Sequence, residues 1–132
     1  MLLIKTEVKS SKISGLGLFS LEDVKYGEIV EVIEDKFYKI FTQEEINELN
    51  KSAVQAEYEH DYMFKQGDLY FACLDNARFM NHSNTPNCFY KGTTSTAILQ
   101  GIHGYFFAHK DIKIGDEITV DYTTFCDKGI DW

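Results

Sequence analysis

Arg78-Phe79-Met80-Asn81-His82-Ser83-Asn84-Thr85-Pro86-Asn87-Cys88 and, further along, Asp116-Glu117-Ile118-Thr119-Val120-Asp121-Tyr122 are the two stretches on which the reading of this chain turns. The first belongs to a polar, Asn-rich segment, Asp75 to Pro86, set between two apolar runs. Binding groups concentrate in such loops when a rigid scaffold carries them. Two plainer readings compete for its centre. Asn81-His82-Ser83 fits the N-glycosylation acceptor pattern, and a polar loop can also be one whose groups satisfy each other's hydrogen bonds. The second stretch is a Gly115-Asp116 turn leading into a strand of alternating character that closes on a tyrosine.

Working outward, the chain has 132 residues, a length suited to one domain spanning 1–132 and too short for two independent cores. Hydrophobic residues make up 44% and charged residues 26%, which places it among globular chains. Ten Phe and eight Tyr supply large buried area with polar tips, enough for both a core and an amphipathic pocket. A net charge of -8 argues against direct nucleic-acid binding, which needs clustered Lys and Arg. It suits a basic protein or peptide partner, although simple solubility accounts for it as well. Cys73, Cys88 and Cys126 form no CxxC pair, so neither a zinc ribbon nor a disulfide framework is indicated. Met1-Leu2-Leu3-Ile4 is too short an apolar run for a secretory signal, and no stretch approaches a membrane span. The expectation is an intracellular, cytoplasmic protein.

Short β-type runs dominate: Ile4–Val8, Leu18–Ser20, Ile29–Ile33, Leu69–Cys73, Cys88–Tyr90, Thr96–Leu99, Tyr105–Ala108 and Glu117–Tyr122. One helix is well marked. Thr42 and Glu45 form a capping box, Phe41 and Ile46 a hydrophobic staple, and Ile46, Leu49, Ala53 and Ala56 recur at helical spacing. The pattern predicts a surface helix over about 42–57, inside an inserted segment at about 35–68. Gly15-Leu16-Gly17 reads as a tight turn or as a loop whose bare backbone admits a ligand, and it lacks the third glycine of a dinucleotide fingerprint.

Taken in order, these pieces resemble the SET-domain family of protein-lysine methyltransferases, which use S-adenosyl-L-methionine. Gly15-Leu16-Gly17-Leu18-Phe19 looks like the family's first cofactor loop, and Lys25–Glu31 is similar to its early strand. Tyr62-Met63-Phe64 resembles the aromatic pair ahead of the central motif, Arg78–Cys88 the motif itself, and Gly115–Tyr122 the closing strand. The resemblance implies a mainly β (β+α) fold of several small sheets with a C-terminal pseudoknot. It further implies that Gly15, Leu16, Gly17, Tyr62, Arg78, Asn81 and His82 bind the cofactor, with Asn81 at its amino-acid end and His82 at the adenine. Tyr122 would be the catalytic tyrosine. Phe64, Tyr90, Val120 and Tyr122 would line the lysine channel. The activity implied is transfer of a methyl group to a lysine amine, as in histone-lysine N-methyltransferases, and the protein would be nuclear if its substrate is a histone.

The chain also departs from the family pattern. Asn84 stands where many members have a zinc-binding cysteine, and the tail 123–132 contains one cysteine, so no metal is expected. Phe125 and Trp132 are then the candidates to close the channel, unless a second subunit does so in a homodimer. Val32 stands where many members have a channel tyrosine, with Tyr38 and Tyr58 as stand-ins. A SET-like module that binds cofactor or peptide without turnover is the alternative. A metal hydrolase using His60, Asp61, His103 and His109 finds no tetrahedral ligand spacing to support it.

Overall fold

A computed structural model describes residues 1–49 and 63–127. Tyr58, His60, Asp61, Tyr62, the helical continuation over 50–57 and Trp132 lie outside the described residues. Strands β1 (Thr6–Ser10) and β2 (Leu16–Ser20) form an antiparallel hairpin. A five-stranded sheet has the order β3 (Ile29–Glu34), β9 (Ile102–Ala108), β8 (Cys88–Gly92), β10 (Thr119–Val120), β7 (Asn81–His82). A three-stranded sheet joins β4 (Tyr38–Thr42), β6 (Leu69–Cys73) and β5 (Met63–Gln66).

Period-two patterning explains the central strands. Along β9, Gly104, Phe106 and Ala108 are buried while Tyr105 and Phe107 are half-buried. Phe106 joins Leu18, Val24, Val30, Ile33, Cys88, Ile112, Ile118 and Val120 in one core. Each large apolar side chain there contributes roughly 1.5–3 kcal/mol by leaving water. A second small cluster of Ile46, Met63 and Ala72, against which Phe41, Leu49 and Tyr70 pack, joins the helix at 43–49 to the three-stranded sheet.

The position of β10 decides the site. It pairs in parallel with β7 on one side and β8 on the other, so the late chain passes between the two ends of loop 83–87. This is the crossing that the pseudoknot expectation describes. Asn87 fastens it: its Nδ2 donates to the Glu117 carbonyl at 2.8 Å, and its Oδ1 accepts from the Thr119 N–H at 2.8 Å. Such bonds are strong where water cannot compete, and Asn87 is buried.

The helix at Gln43–Leu49 (α1) starts as its cap predicts, with the Thr42 N–H donating to Glu45 Oε2 at 2.8 Å and the Glu45 N–H donating to Thr42 Oγ1 at 3.3 Å. Two expectations need correction. Thr96–Leu99 is not a strand but part of a short helix, α2 (Ser95–Leu99), because the Thr94 side chain caps it by accepting from the Ala97 N–H. A four-residue apolar run does not separate the two periods, and the local cap decides. The strand expected over Glu117–Tyr122 is confined to Thr119–Val120, after which Asp121 caps a 3-10 turn at Tyr122–Thr124. Strands β4 and β5 are not marked by the sequence pattern; they exist by pairing on β6.

Candidate functional site

The glycine loop, the central motif, the three-stranded sheet and the chain after β10 line an open cavity of about 720 Å³. That is within the usual range for a small-molecule site, about 300–1,000 Å³. Gly15, Leu16, Phe64, Arg78, Asn81, His82, Val120, Tyr122 and Phe125 all line it. Tyr38 lines it too, so the structure puts one sequence-named stand-in at the wall. Val32 does not line it. The reason is the register of β3, in which Glu31 and Ile33 are the buried neighbours and Val32 is half-buried between them.

Two further expected residues stand off the cavity wall. Gly17 lies within β2, paired with Lys9. Its role is one of space: a Cβ there would sit 2.4 Å from Glu117 Oε1 and 2.9 Å from Cδ of the same side chain. Tyr90 packs behind the wall, its ring 5.6 Å from that of Phe106 and 5.8 Å from that of Phe125. Its hydroxyl accepts from Gln66 Nε2 at 3.1 Å and is 3.4 Å from the His103 carbonyl. The tyrosine is thus spent bracing the β5–β6 hairpin.

Asn81 holds the glycine loop in place. Its Nδ2 donates to the carbonyls of Ser14 (3.1 Å) and Leu16 (3.0 Å) and to Glu117 Oε1 (2.8 Å). Ser11 Oγ donates to Glu117 as well, 2.8 Å from Oε1 and 2.9 Å from Oε2. Glu117 therefore joins β1, the loop and the central motif, a role nothing in its local sequence announces. Arg78 sits in a 3-10 turn (Asn76–Phe79) with its guanidinium 4.9 Å from the Phe79 ring centre. Among the described lining residues it is the one permanent cation, and no carboxylate lines the cavity.

Tyr122 is pinned at both ends by the central motif. Its N–H donates to His82 Nδ1 at 3.2 Å, and its hydroxyl donates to the Met80 carbonyl at 2.7 Å. An acceptor Nδ1 assigns the His82 proton to Nε2, which can then donate to Asn84 Oδ1 at 3.2 Å. Asn84 thus helps orient the histidine. Burial pushes the Tyr122 phenol up to about 12, the charge of Cys126 adds to this, and the His82 contact opposes it. The phenol is therefore neutral at cellular pH. It is a fixed dipole and not a base.

Deeper in, Phe64 stacks on Phe71 at 5.1 Å and meets Tyr38 edge-on at 6.1 Å. Tyr38 donates at 2.6 Å to Glu31 Oε1, and Glu31 is fully buried, its other oxygen without a hydrogen-bond partner among the described residues. Burial raises the Glu31 carboxyl to about 7, against the opposing effect of the Tyr38 bond. Glu31, Cys73 and Asp75 also bring metal-type ligand atoms within 4.8 Å of one another. Desolvation holds the thiols of Cys73, Cys88 and Cys126 at about 12, so all three stay protonated. His103 pairs with Asp35 at 2.7 Å and His109 stacks on Phe89 at 3.8 Å, so these two histidines do not converge on a common centre.

Comparison with known proteins bears on the family and the fold. The sequence profile of the SET domain matches residues 15–123. The chain is 31% identical over 124 residues to the Plasmodium falciparum protein named "Putative histone-lysine N-methyltransferase 1", covering 90% of this chain and 2% of that protein. It is 30% identical over 117 residues to Drosophila melanogaster "Histone-lysine N-methyltransferase trr", covering 85% of this chain and 4% of that one. It is 30% identical over 128 residues to Caenorhabditis elegans "Histone-lysine N-methyltransferase mes-2", covering 90% and 15% respectively. The chain thus spans only 2% to 15% of the length of these relatives. A crystal structure described as a putative histone methyltransferase of Plasmodium falciparum superposes with a TM-score of 0.62 over 99% of this chain and 98% of that one, at 24% identity.

Proposed function

The chain belongs to the SET-domain family, and from that premise we propose that it is a protein-lysine N-methyltransferase that takes its methyl group from S-adenosyl-L-methionine. The observation that carries the proposal is the doubly pinned Tyr122 beside an open cavity whose rim is the Asn81-tethered glycine loop. When bound, S-adenosylmethionine would supply an electrophilic methyl on a sulfonium, ready for in-line displacement.

The lining residues fit such a group. Arg78 offers the cavity's cation to a carboxylate, and the exposed faces of Ile13 and Leu16 offer apolar cover to a ring. The absence of carboxylates among the described lining residues leaves orientation of a cationic centre to neutral dipoles. Because Tyr122 directs its proton to Met80, its hydroxyl acts toward a bound amine through its oxygen and not as a donor.

The attacking amine must be neutral. Free Lys has a pKa of about 10.4, roughly three units above cellular pH, so exposing its lone pair costs about 4 kcal/mol. Phe64, Phe106, Val120 and Phe125 form the apolar part of the wall, and an apolar wall disfavours the ammonium. Tyr122, pushed up to about 12, does not take the proton itself; it orients the amine. The substrate we propose is a lysine-bearing basic protein or peptide, supported by the net charge of -8.

The test is Tyr122→Phe. It removes the hydroxyl and its bond to Met80 but keeps the ring and the His82 contact. Cofactor affinity by calorimetry should stay within about threefold, while kcat for radiolabelled methyl transfer to a lysine peptide should fall at least 100-fold, in line with loss of one preorganised dipole. Undiminished turnover would remove Tyr122 from the reaction. Cofactor binding by the unaltered protein with no transfer to any lysine peptide would favour a binding module.

A further inference from the structure

We infer that Asp127 is a positioning residue, a clasp that fixes the end wall of the lysine site. The inference rests on the methyltransferase reading of the cavity. The chain after Tyr122 has to be held by something, and the structure shows what holds it. The Asp127 N–H donates to the Lys65 carbonyl at 2.9 Å, and its carboxylate Oδ2 accepts from the Gly67 N–H at 2.7 Å. Both bonds land at the end of β5 and the start of the β5–β6 turn, where Gly67 takes the left-handed conformation with φ +60°.

The same hairpin supplies the opposite side of the pocket. Phe64, on β5, meets the Phe125 ring edge-on at 5.1 Å. Phe125 also stands 5.0 Å from Phe106 and 6.0 Å from Tyr122, ring centre to ring centre, and is 8% exposed. Tail and hairpin therefore build one aromatic wall between them. The tail is anchored at its start by Tyr122 and, through the Cys126 N–H to the Tyr122 carbonyl at 2.9 Å, along its first turn. Asp127 supplies the second anchor, with Phe125 between the two. Removing its carboxylate leaves the main-chain bond to Lys65 as the one remaining hold on this side of Phe125 that Asp127 provides.

Asp127 lies outside the core, and its partner N–H is at an exposed turn that water can reach. Loss of the clasp should therefore leave the fold intact and loosen the wall. A hydrogen bond from a backbone N–H to a carboxylate is worth more than a neutral one, so the looser state should gain about tenfold in population.

The experiment compares Asp127→Ala and Asp127→Asn with the unaltered protein. Asparagine keeps an acceptor oxygen at the same place. Amide hydrogen exchange should quicken about tenfold at residues 125–127 and at Gly67 in D127A, with β3, β8 and β9 unchanged. The kcat/KM for a lysine peptide should drop about tenfold, mainly through KM, while the S-adenosylmethionine Kd moves by no more than about threefold. D127N should recover most of both effects. Exchange or peptide kinetics in D127A matching the unaltered protein would overturn the clasp, as would D127N being as impaired as D127A. Failure of the unaltered protein to methylate any peptide would instead overturn the enzymatic reading, and the exchange comparison would still decide whether Asp127 fixes the tail.

Discussion

Glycine 17 offers the sharpest test of how the site is assembled. In Gly17→Ala the new methyl would meet Glu117 Oε1 at 2.4 Å, Cδ at 2.9 Å and Ser11 Cβ at 3.0 Å, where real contacts essentially never fall below 3.0 Å. The backbone itself does not object, since Gly17 is not among the glycines with positive φ. The whole effect must therefore come from displacing Glu117. A free carboxylate would swing aside at little expense, but this one is tied to Ser11 Oγ at 2.8 and 2.9 Å and to Asn81 Nδ2 at 2.8 Å. A shift of roughly an ångström takes these bonds beyond useful length. Charge-assisted bonds contribute about 1.5–3 kcal/mol each when buried. Allowing for a half-buried site and for the entropy alanine saves in the unfolded chain, the expected loss is about 2 kcal/mol. Glu117→Ala should lose a similar amount by removing the same bonds. The double variant then has nothing further to break, so its urea-derived stability should match that of Glu117→Ala, a coupling of about 2 kcal/mol. Cofactor affinity should fall in parallel in all three variants, because Asn81 holds the Ser14 and Leu16 carbonyls of the same loop. If the two single losses simply add, the glycine is not there to make room for Glu117.

Two further outcomes follow from other parts of the molecule. Burial raises Glu31 from 4.5 to about 7, so the folded state holds this proton more tightly than the unfolded chain does. Its contribution is complete below about pH 4.5 and is lost as pH rises through about 7, a difference of about 3 kcal/mol by linkage. Urea melts at pH 5 and pH 8 should show that decline in the unaltered protein, and Glu31→Gln should flatten it; an unchanged slope in the variant would place the titration elsewhere. Thr42→Ala removes the acceptor that meets the Glu45 N–H and should lower stability by about 1 kcal/mol in thermal unfolding, whereas Thr42→Ser, which keeps the hydroxyl, should lose far less.

What could be read from the sequence has a physical pattern. The Thr42–Glu45 box and the turn at Gly115, which has positive φ, are local devices whose parts lie within a few residues of each other. Sequence spacing reports such devices directly. The order of motifs likewise revealed the cavity, because Asn81, His82 and Tyr122 carry their chemistry on their own side chains. Residues whose meaning lies in a distant partner stayed hidden. Glu117 looks like any polar position on an alternating strand until Ser11, 106 residues away, and Asn81, 36 away, are seen to donate to it. Asp127 looks like part of a loose tail until the turn 60 residues earlier closes on its carboxylate. Tyr90 shows the same limit from the other side. Its type and its place after the central motif suit a channel wall, yet Gln66 and His103 claim its hydroxyl, and the tail's Phe125 takes the place at the cavity. A pocket assembled by threading one segment between the ends of another depends on pairs of high sequence separation. In this chain those pairs form a connected set: Asn87 locks the crossing, Glu117 and Asn81 tie the glycine loop to it, and His82 and Met80 orient Tyr122. Asp127 then carries the set across to the β5–β6 hairpin. The geometry of the cavity is therefore a property of the crossing as a whole, and under the proposed activity substitutions far from Tyr122 along this set should lower methyl transfer as well as stability.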